Sequence, residues 1–189
     1  AVGKDTPPRG WNMIFDYLSA VDSAVFLRIN HDLVNPVFDV IFPALRELTY
    51  VFWFLMILYF WRKNEKKMAL LLTVSIAAGA LFTYPLKLLI DRARPYETIE
   101  SARLLTPAEF DPSFPSGHVE MSFLASIVIS RFHPEYAKYL YAFSFIVALS
   151  RIYVGVHFPG DVLGGIVVGV IIGKAMILVA KRKKDIFWD

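Results

Sequence analysis

Residues Met68–Ile90 read MALLLTVSIAAGALFTYPLKLLI: 23 positions with one charge, Lys87, near the end. That length is what an α-helix needs to cross the roughly 30 Å hydrocarbon core of a bilayer. Working outward, Val51–Trp61, Val119–Phe132, Tyr139–Leu149 and Val162–Ala180 are further apolar blocks with few charged side chains, Lys174 among them. The chain of 189 residues is 56% hydrophobic and 15% aromatic, with a mean hydropathy of +0.49. One domain of this size has no soluble core large enough to hide so much apolar surface. The expected fold is therefore all-α, a polytopic transmembrane helical bundle.

Asn35–Leu45 is apolar except for Asp39 and too short to span alone; extended backwards along the chain, it is read as an imperfect first span. That makes about six spans and puts both termini on one side. Trp11 to about Asn30 reads as an amphipathic N-terminal helix suited to the membrane interface, with Met13, Ile14, Tyr17, Leu18 and Val21 on one side. Residues 1–10 read as a loose polar tail. They lack the charged start and short apolar core of a cleavable signal peptide and an initial Met, so a trimmed end is expected. The domain proper is expected over 11–189.

The net charge of +3 matters through its distribution. Arg62, Lys63, Lys66 and Lys67, then Arg131 and Lys138, then Lys181 to Lys184 all fall on one face when the spans are walked. By the positive-inside rule that face is cytoplasmic. Gly165, Gly169 and Gly173, four apart in the last block, suit close helix packing within the bundle. The absence of cysteine excludes disulfides, thiolate catalysis and Cys-based metal sites.

The opposite face collects the chemistry. Lys87 and Arg94 are seven positions apart, about two helical turns, which puts them near one helix face; Pro95 disfavours helix at Arg94, so that side chain leaves the helix end. Ser116 is a candidate N-cap of the helix that follows, and Gly117 keeps a Cβ away from the open N–H groups of its first turn. Those groups and the helix dipole attract an anion, and His118 sits beside them. His157 and Asp161 are four apart, with Pro159 and Gly160 marking the start of the last helix. A carboxylate near one imidazole nitrogen fixes the tautomer and leaves the other nitrogen as a nucleophile. Arg151 ends the preceding block and offers a planar fork to phosphate oxygens. Asp161 stands alone beside two of the four histidines, which makes no metal-ligand cluster. The polar connection 91–117 between these segments is long enough to cover the site, with Glu97, Glu100, Arg103, Glu109 and Asp111 as candidates for doing so.

The three segments Lys87-x6-Arg94-Pro95, Pro115-Ser-Gly-His118 and Ser150-Arg151-x5-His157-x3-Asp161 resemble the tripartite signature of the type 2 phosphatidic acid phosphatase (PAP2) superfamily at every position and spacing. The resemblance implies His157 as the nucleophile that forms a phosphohistidine, Asp161 as its orienting partner, and His118 as the acid for the leaving oxygen and then the base for water. It implies Lys87, Arg94, Ser116, Gly117 and Arg151 as the phosphate-binding set, and no metal or other cofactor. The pH–rate profile is expected to be bell-shaped. The implied substrate is a phosphorylated lipid held in the bilayer: phosphatidylglycerophosphate, phosphatidic acid, undecaprenyl diphosphate or a lipid A phosphate. A prokaryotic cytoplasmic membrane with the site on its outer side is the expected location, with no nucleic acid and no obligate protein partner. Two alternatives are a vanadate-type haloperoxidase, which shares a similar anion cradle but is soluble and larger, and a small transporter, for which the intramembrane charges trace no path across the bundle.

Overall fold

A computed structural model of the chain describes residues 9–183. All regular structure among them is helical: α1 (Arg9–Leu27), α2 (Pro36–Arg62), α3 (Lys66–Ile90), the single turn α4 (Pro95–Thr98), α5 (Gly117–Phe132), α6 (Ala137–Tyr153) and α7 (Pro159–Arg182). A π-helical turn, Arg28–Asp32, follows α1, and a 3-10 turn, Pro134–Tyr136, leads into α6. Three segments are long and apolar enough to cross a membrane by length and composition: Pro36–Arg62, Lys66–Thr98 and Pro159–Arg182. The bundle is apolar outside as well as in its core, and a set of charged residues is buried at one end. Leu81 and Leu89 are about four-fifths exposed, while Lys87, Arg94, Arg151, His157 and Asp161 are buried. Apolar side chains on the outside of a bundle are at low energy only against lipid.

One expectation is corrected. The stretch Asn35–Leu45 is not a separate span; it is the first part of α2, which runs on without a break through Val51–Trp61. Asn35 caps the helix, its Oδ1 accepting from Val37 N at 2.8 Å, and Pro36 occupies the first turn. Arg46 and Glu47 interrupt the hydropathy but not the backbone, because this turn of α2 faces a polar cavity. The first eight residues of the expected tail lie outside the described residues, and α1 begins at Arg9.

Helix α5 is the hub, touching α2, α3, α6 and α7. Gly165 and Gly169 permit its closest approach: a Cβ there would come within 2.6 Å of Ser116 O and 2.5 Å of Glu120 O. The glycine stripe therefore serves packing inside the bundle. Trp53, Phe60, Leu71, Leu72, Leu124, Val128 and Ile129 fill the space around α5. Glu120, buried in α5, and Arg131 interrupt a block that reads as nearly charge-free.

The connectivity sets the two ends. The α2–α3 and α5–α6 connections meet, with His133 Nε2 2.8 Å from Glu65 Oε2 and the Tyr59 and Tyr136 hydroxyls 2.7 Å apart. The basic residues from Arg62 to Lys67, Arg131, Lys138 and Lys181 to Lys183 lie at this end or beside it; Lys184 falls outside the described residues. The C-termini of α3 and α6 and the N-termini of α5 and α7 form the other end. Helix α1 rests on the start of α7, anchored by Asp22, whose Oδ1 accepts from Gly160 N at 2.7 Å. Its Met13, Ile14, Tyr17, Leu18 and Val21 are exposed.

Candidate active site

Helix α3 stops at Ile90 because Asp91 turns left-handed (φ 47°) and returns its N–H to Lys87 O at 2.9 Å. Arg94 is then extended. Lys87 and Arg94 thus share no helix face, contrary to the spacing argument; what brings them together is the loop. Lys87 Nζ lies 2.9 Å from Asp111 Oδ2 and donates to Pro112 O at 2.6 Å. Arg94 donates to Asp111 Oδ1 at 2.9 Å and to Val156 O at 2.9 Å, and pairs with Glu109 Oε2 at 2.8 Å. Burial alone would raise the Asp111 carboxyl's pKa, but the hydrogen bond and charge of Lys87 and the charge of Arg94 hold it below the usual range. Of the other candidates on this loop, Arg103 ties it to Asp39 and Asn30, and Glu97 accepts from Arg94 N.

Ser116 occupies the N-cap position of α5 as expected, but its hydroxyl makes no capping bond and is buried without a hydrogen-bond partner among the described residues. A Cβ on Gly117 would meet open space. The free N–H groups of the α5 first turn thus open onto a cavity, with an unused hydroxyl at its edge. His118 Nε2 lies 3.1 Å from Arg46 O, and its ring centroid is 4.8 Å from that of Tyr50.

Asp161 Oδ2 stands 3.6 Å from His157 Nδ1, too far for a direct hydrogen bond. Ser113 fills the gap, its Oγ 2.5 Å from Asp161 Oδ2 and 3.3 Å from His157 Nδ1. The short contact is that of a hydroxyl donating to a carboxylate, which leaves an oxygen lone pair for Nδ1–H. That network assigns the proton to Nδ1 and leaves Nε2 of His157 bare. Asp161 also accepts from Phe158 N at 2.8 Å and from Arg92 at 2.7 Å. Arg92 continues to Asp22 of α1 at 2.5 Å and lies over the Phe158 ring. Burial, the largest influence, pushes the His157 pKa down to about 4 against the pull of Asp161.

Arg151 has no exposed surface, and none of its three side-chain nitrogens has a hydrogen-bond partner among the described residues. A buried guanidinium in that state demands an anion. A cavity of about 550 Å³ at this end is lined by Arg46, Tyr50, Lys87, Gly117, His118 and His157 together with the carboxylates of Glu47, Glu109 and Asp111. The eight residues singled out in the sequence therefore do gather at one end. Ser113, Arg92, Asp22 and Arg46 escaped sequence reasoning. Arg92 lies inside the first segment and Ser113 two residues before Pro115, but no spacing rule marks either.

Bare imidazole nitrogen, free amide dipoles and an unmatched cation, all at the rim of an apolar bundle, suit phosphoryl transfer from a group whose body stays in the membrane. They define the class, an integral membrane lipid phosphatase. Residues 68–185 match the PAP2 superfamily, and the chain belongs to it. It is similar to the undecaprenyl-diphosphatase BcrC of Bacillus subtilis, 32% identical over 142 residues that cover 74% of this chain and 73% of that one. Among solved structures, Aquifex aeolicus LpxE superposes with a TM-score of 0.72 at 31% identity, covering 82% of this chain and 93% of LpxE. The PAP2 type phosphatidylglycerolphosphate phosphatase of Bacillus subtilis gives the same TM-score at 23% identity, over 89% and 88% of the two chains, a likeness of fold.

Proposed function

We propose that this chain removes the terminal phosphate from a lipid phosphomonoester or lipid diphosphate through a phosphohistidine on His157. The observation that carries the reading is Arg151, a fully buried guanidinium beside two histidines with no hydrogen-bond partner among the described residues. Nε2 of His157 attacks phosphorus while Ser113 and Asp161 hold the Nδ1 proton. His118 protonates the departing oxygen, then takes a proton from the water that breaks the P–N bond. Arg151, Ser116 and the Gly117 amide receive the phosphate oxygens; Lys87 and Arg94 complete the set when the phosphate displaces the Asp111 and Glu109 carboxylates that hold them in the free protein. No metal enters this scheme. Undecaprenyl diphosphate is the first candidate substrate, on the similarity to BcrC; phosphatidylglycerophosphate, phosphatidic acid and a lipid A phosphate are the others.

For the topology, the continuity of α2 supports five spanning helices, α2, α3, α5, α6 and α7, in place of the expected six. The amphipathic α1 then lies on the outer surface, beside the loop 91–117 that covers the site. The basic end faces the cytoplasm of a prokaryotic cell. No obligate partner is part of this reading. The chain has no native cysteine, so an impermeant maleimide checks the sidedness: Ser19→Cys labels on intact cells and Lys183→Cys only after permeabilisation.

The deciding experiment is phosphate release by detergent-purified protein in EDTA across these lipids, beside His157→Ala. Release that persists in EDTA and disappears in the variant is the expected result. Release that needs a divalent metal, or survives in His157→Ala, overturns the reading.

A further inference from the structure

We infer that Arg46 forms a second anion subsite, for the leaving-side phosphate of a lipid diphosphate, and sets the preference for diphosphates over monoesters. The inference rests on the proposed reaction and adds a residue outside its signature.

Position carries the argument first. Arg46 lies in the polar turn of α2 that lines the cavity, and its own carbonyl is 3.1 Å from His118 Nε2. His118 serves the oxygen that leaves. In a diphosphate that oxygen bridges two phosphorus atoms, so the second phosphate is bonded to the atom His118 protonates. It falls on the His118 side of the cavity, whose lining includes Arg46. A monoester places an alkyl carbon there and asks for no cation.

Availability carries it second. Lys87 and Arg94 are already engaged by Asp111 and Glu109 at 2.8–2.9 Å. Among the described residues the Arg46 guanidinium has two long contacts, 3.5 Å to Glu47 Oε1 and 3.5 Å to Pro107 O. The Glu47 side chain is 77% exposed and lines the same cavity, so its carboxylate is a loosely held partner that an entering phosphate displaces. Arg46 is partly exposed at the cavity mouth, so it has room to turn onto a ligand with both arms of its fork.

The step balances without a further reagent. The bond from His157 Nε2 to the terminal phosphorus forms as the bond from that phosphorus to the bridging oxygen breaks. The bridging oxygen takes the His118 proton, and a lipid monophosphate departs from Arg46. Water then attacks the phosphohistidine, its proton returns to His118, and inorganic phosphate leaves.

The test compares farnesyl diphosphate with farnesyl monophosphate on the full chain in detergent. In Arg46→Gln the diphosphate-to-monophosphate ratio of kcat/KM falls roughly ten- to hundredfold, the range for a hydrogen bond to a charged group; Arg46→Lys recovers part of it. Methylenediphosphonate inhibits the native protein about tenfold more tightly than inorganic phosphate, and Arg46→Gln removes that advantage. An unchanged ratio, equal losses on both substrates, equal inhibition by the two anions, or a native protein active on the monophosphate alone each overturns the subsite. His157→Ala separates the two readings: release surviving there sinks the phosphohistidine mechanism, whatever Arg46→Gln does to the ratio.

Discussion

The Ser113 hydroxyl lies 2.5 Å from Oδ2 of Asp161 and so takes the place, between aspartate and histidine, that a direct bond would fill. His157 reaches the carboxylate only through it. Removing the hydroxyl leaves the imidazole free to rotate or change tautomer. Ser113→Ala is expected to lower kcat by roughly 10- to 100-fold, the usual loss when an orienting partner of a functional histidine goes. Ser113→Thr keeps the hydroxyl and retains more activity. Steady-state rates with KM little changed are the check, since Ser113 does not touch substrate.

The pH dependence has a definite sign. Burial holds His157 neutral down to about pH 4 in the free protein, against an ordinary value near 6.5. The acidic limb of kcat/KM, which reports the free enzyme, therefore shows no His157 loss between pH 7 and 5 and falls only towards 4. Folding stability follows the same group. Between about 6.5 and 4 the unfolded chain binds a proton that the native site refuses, so stability is full above 6.5 and is lost as pH drops through that window. Thermal melts from pH 7.5 to 4.5, with His157→Asn as control, test this.

In the proposed reaction Arg151 trades stability for binding. Replacing even a buried ion pair by apolar side chains of similar volume is often neutral or stabilising by roughly 1–4 kcal/mol, and a buried ion without a partner has still less to lose. Arg151→Met is expected to melt higher than the native protein while losing activity by about 10²-fold or more. Phosphate or vanadate raises the melting temperature of the native protein, because it binds only the folded site, and does so far less for the variant. A variant that melts lower would mean that Arg151 already has a partner.

Asp22 links a peripheral helix to the site. It holds Gly160 N and Arg92, and Arg92 holds Asp161. Asp22→Ala is expected to slow turnover by about tenfold, the worth of a charge-assisted bond, and to make α1 more open to protease. Arg92→Lys loses less than Arg92→Ala. Protease sensitivity without a change in kcat would confine Asp22 to anchoring α1.

Much of this was legible in the chain. Blocks such as Met68–Ile90 announce membrane helices, because hydropathy is additive along a segment and needs no knowledge of neighbours. The four-residue spacing of Gly165, Gly169 and Gly173 announces a close helix contact for a similar reason. The continuity of α2 was hidden because Arg46 and Glu47 lower the local hydropathy, although neither breaks a helix. The failure over Lys87 and Arg94 is instructive: a spacing of seven is a face only while the helix lasts, and α3 ends between them.

The sequence by itself determined an all-helical membrane protein with phosphate chemistry at one end, because apolar runs, caps and motif spacings are properties of neighbouring residues. Only the tertiary structure decided which cations are spent and which are free. Asp111 lies 24 positions from Lys87, Ser113 lies 48 from Asp161 and Arg46 lies 72 from His118. Contacts of that range depend on where a loop closes over the helix ends. Charge energetics then follow distance and burial, which leave Arg94 paired and Arg151 without a hydrogen-bond partner among the described residues.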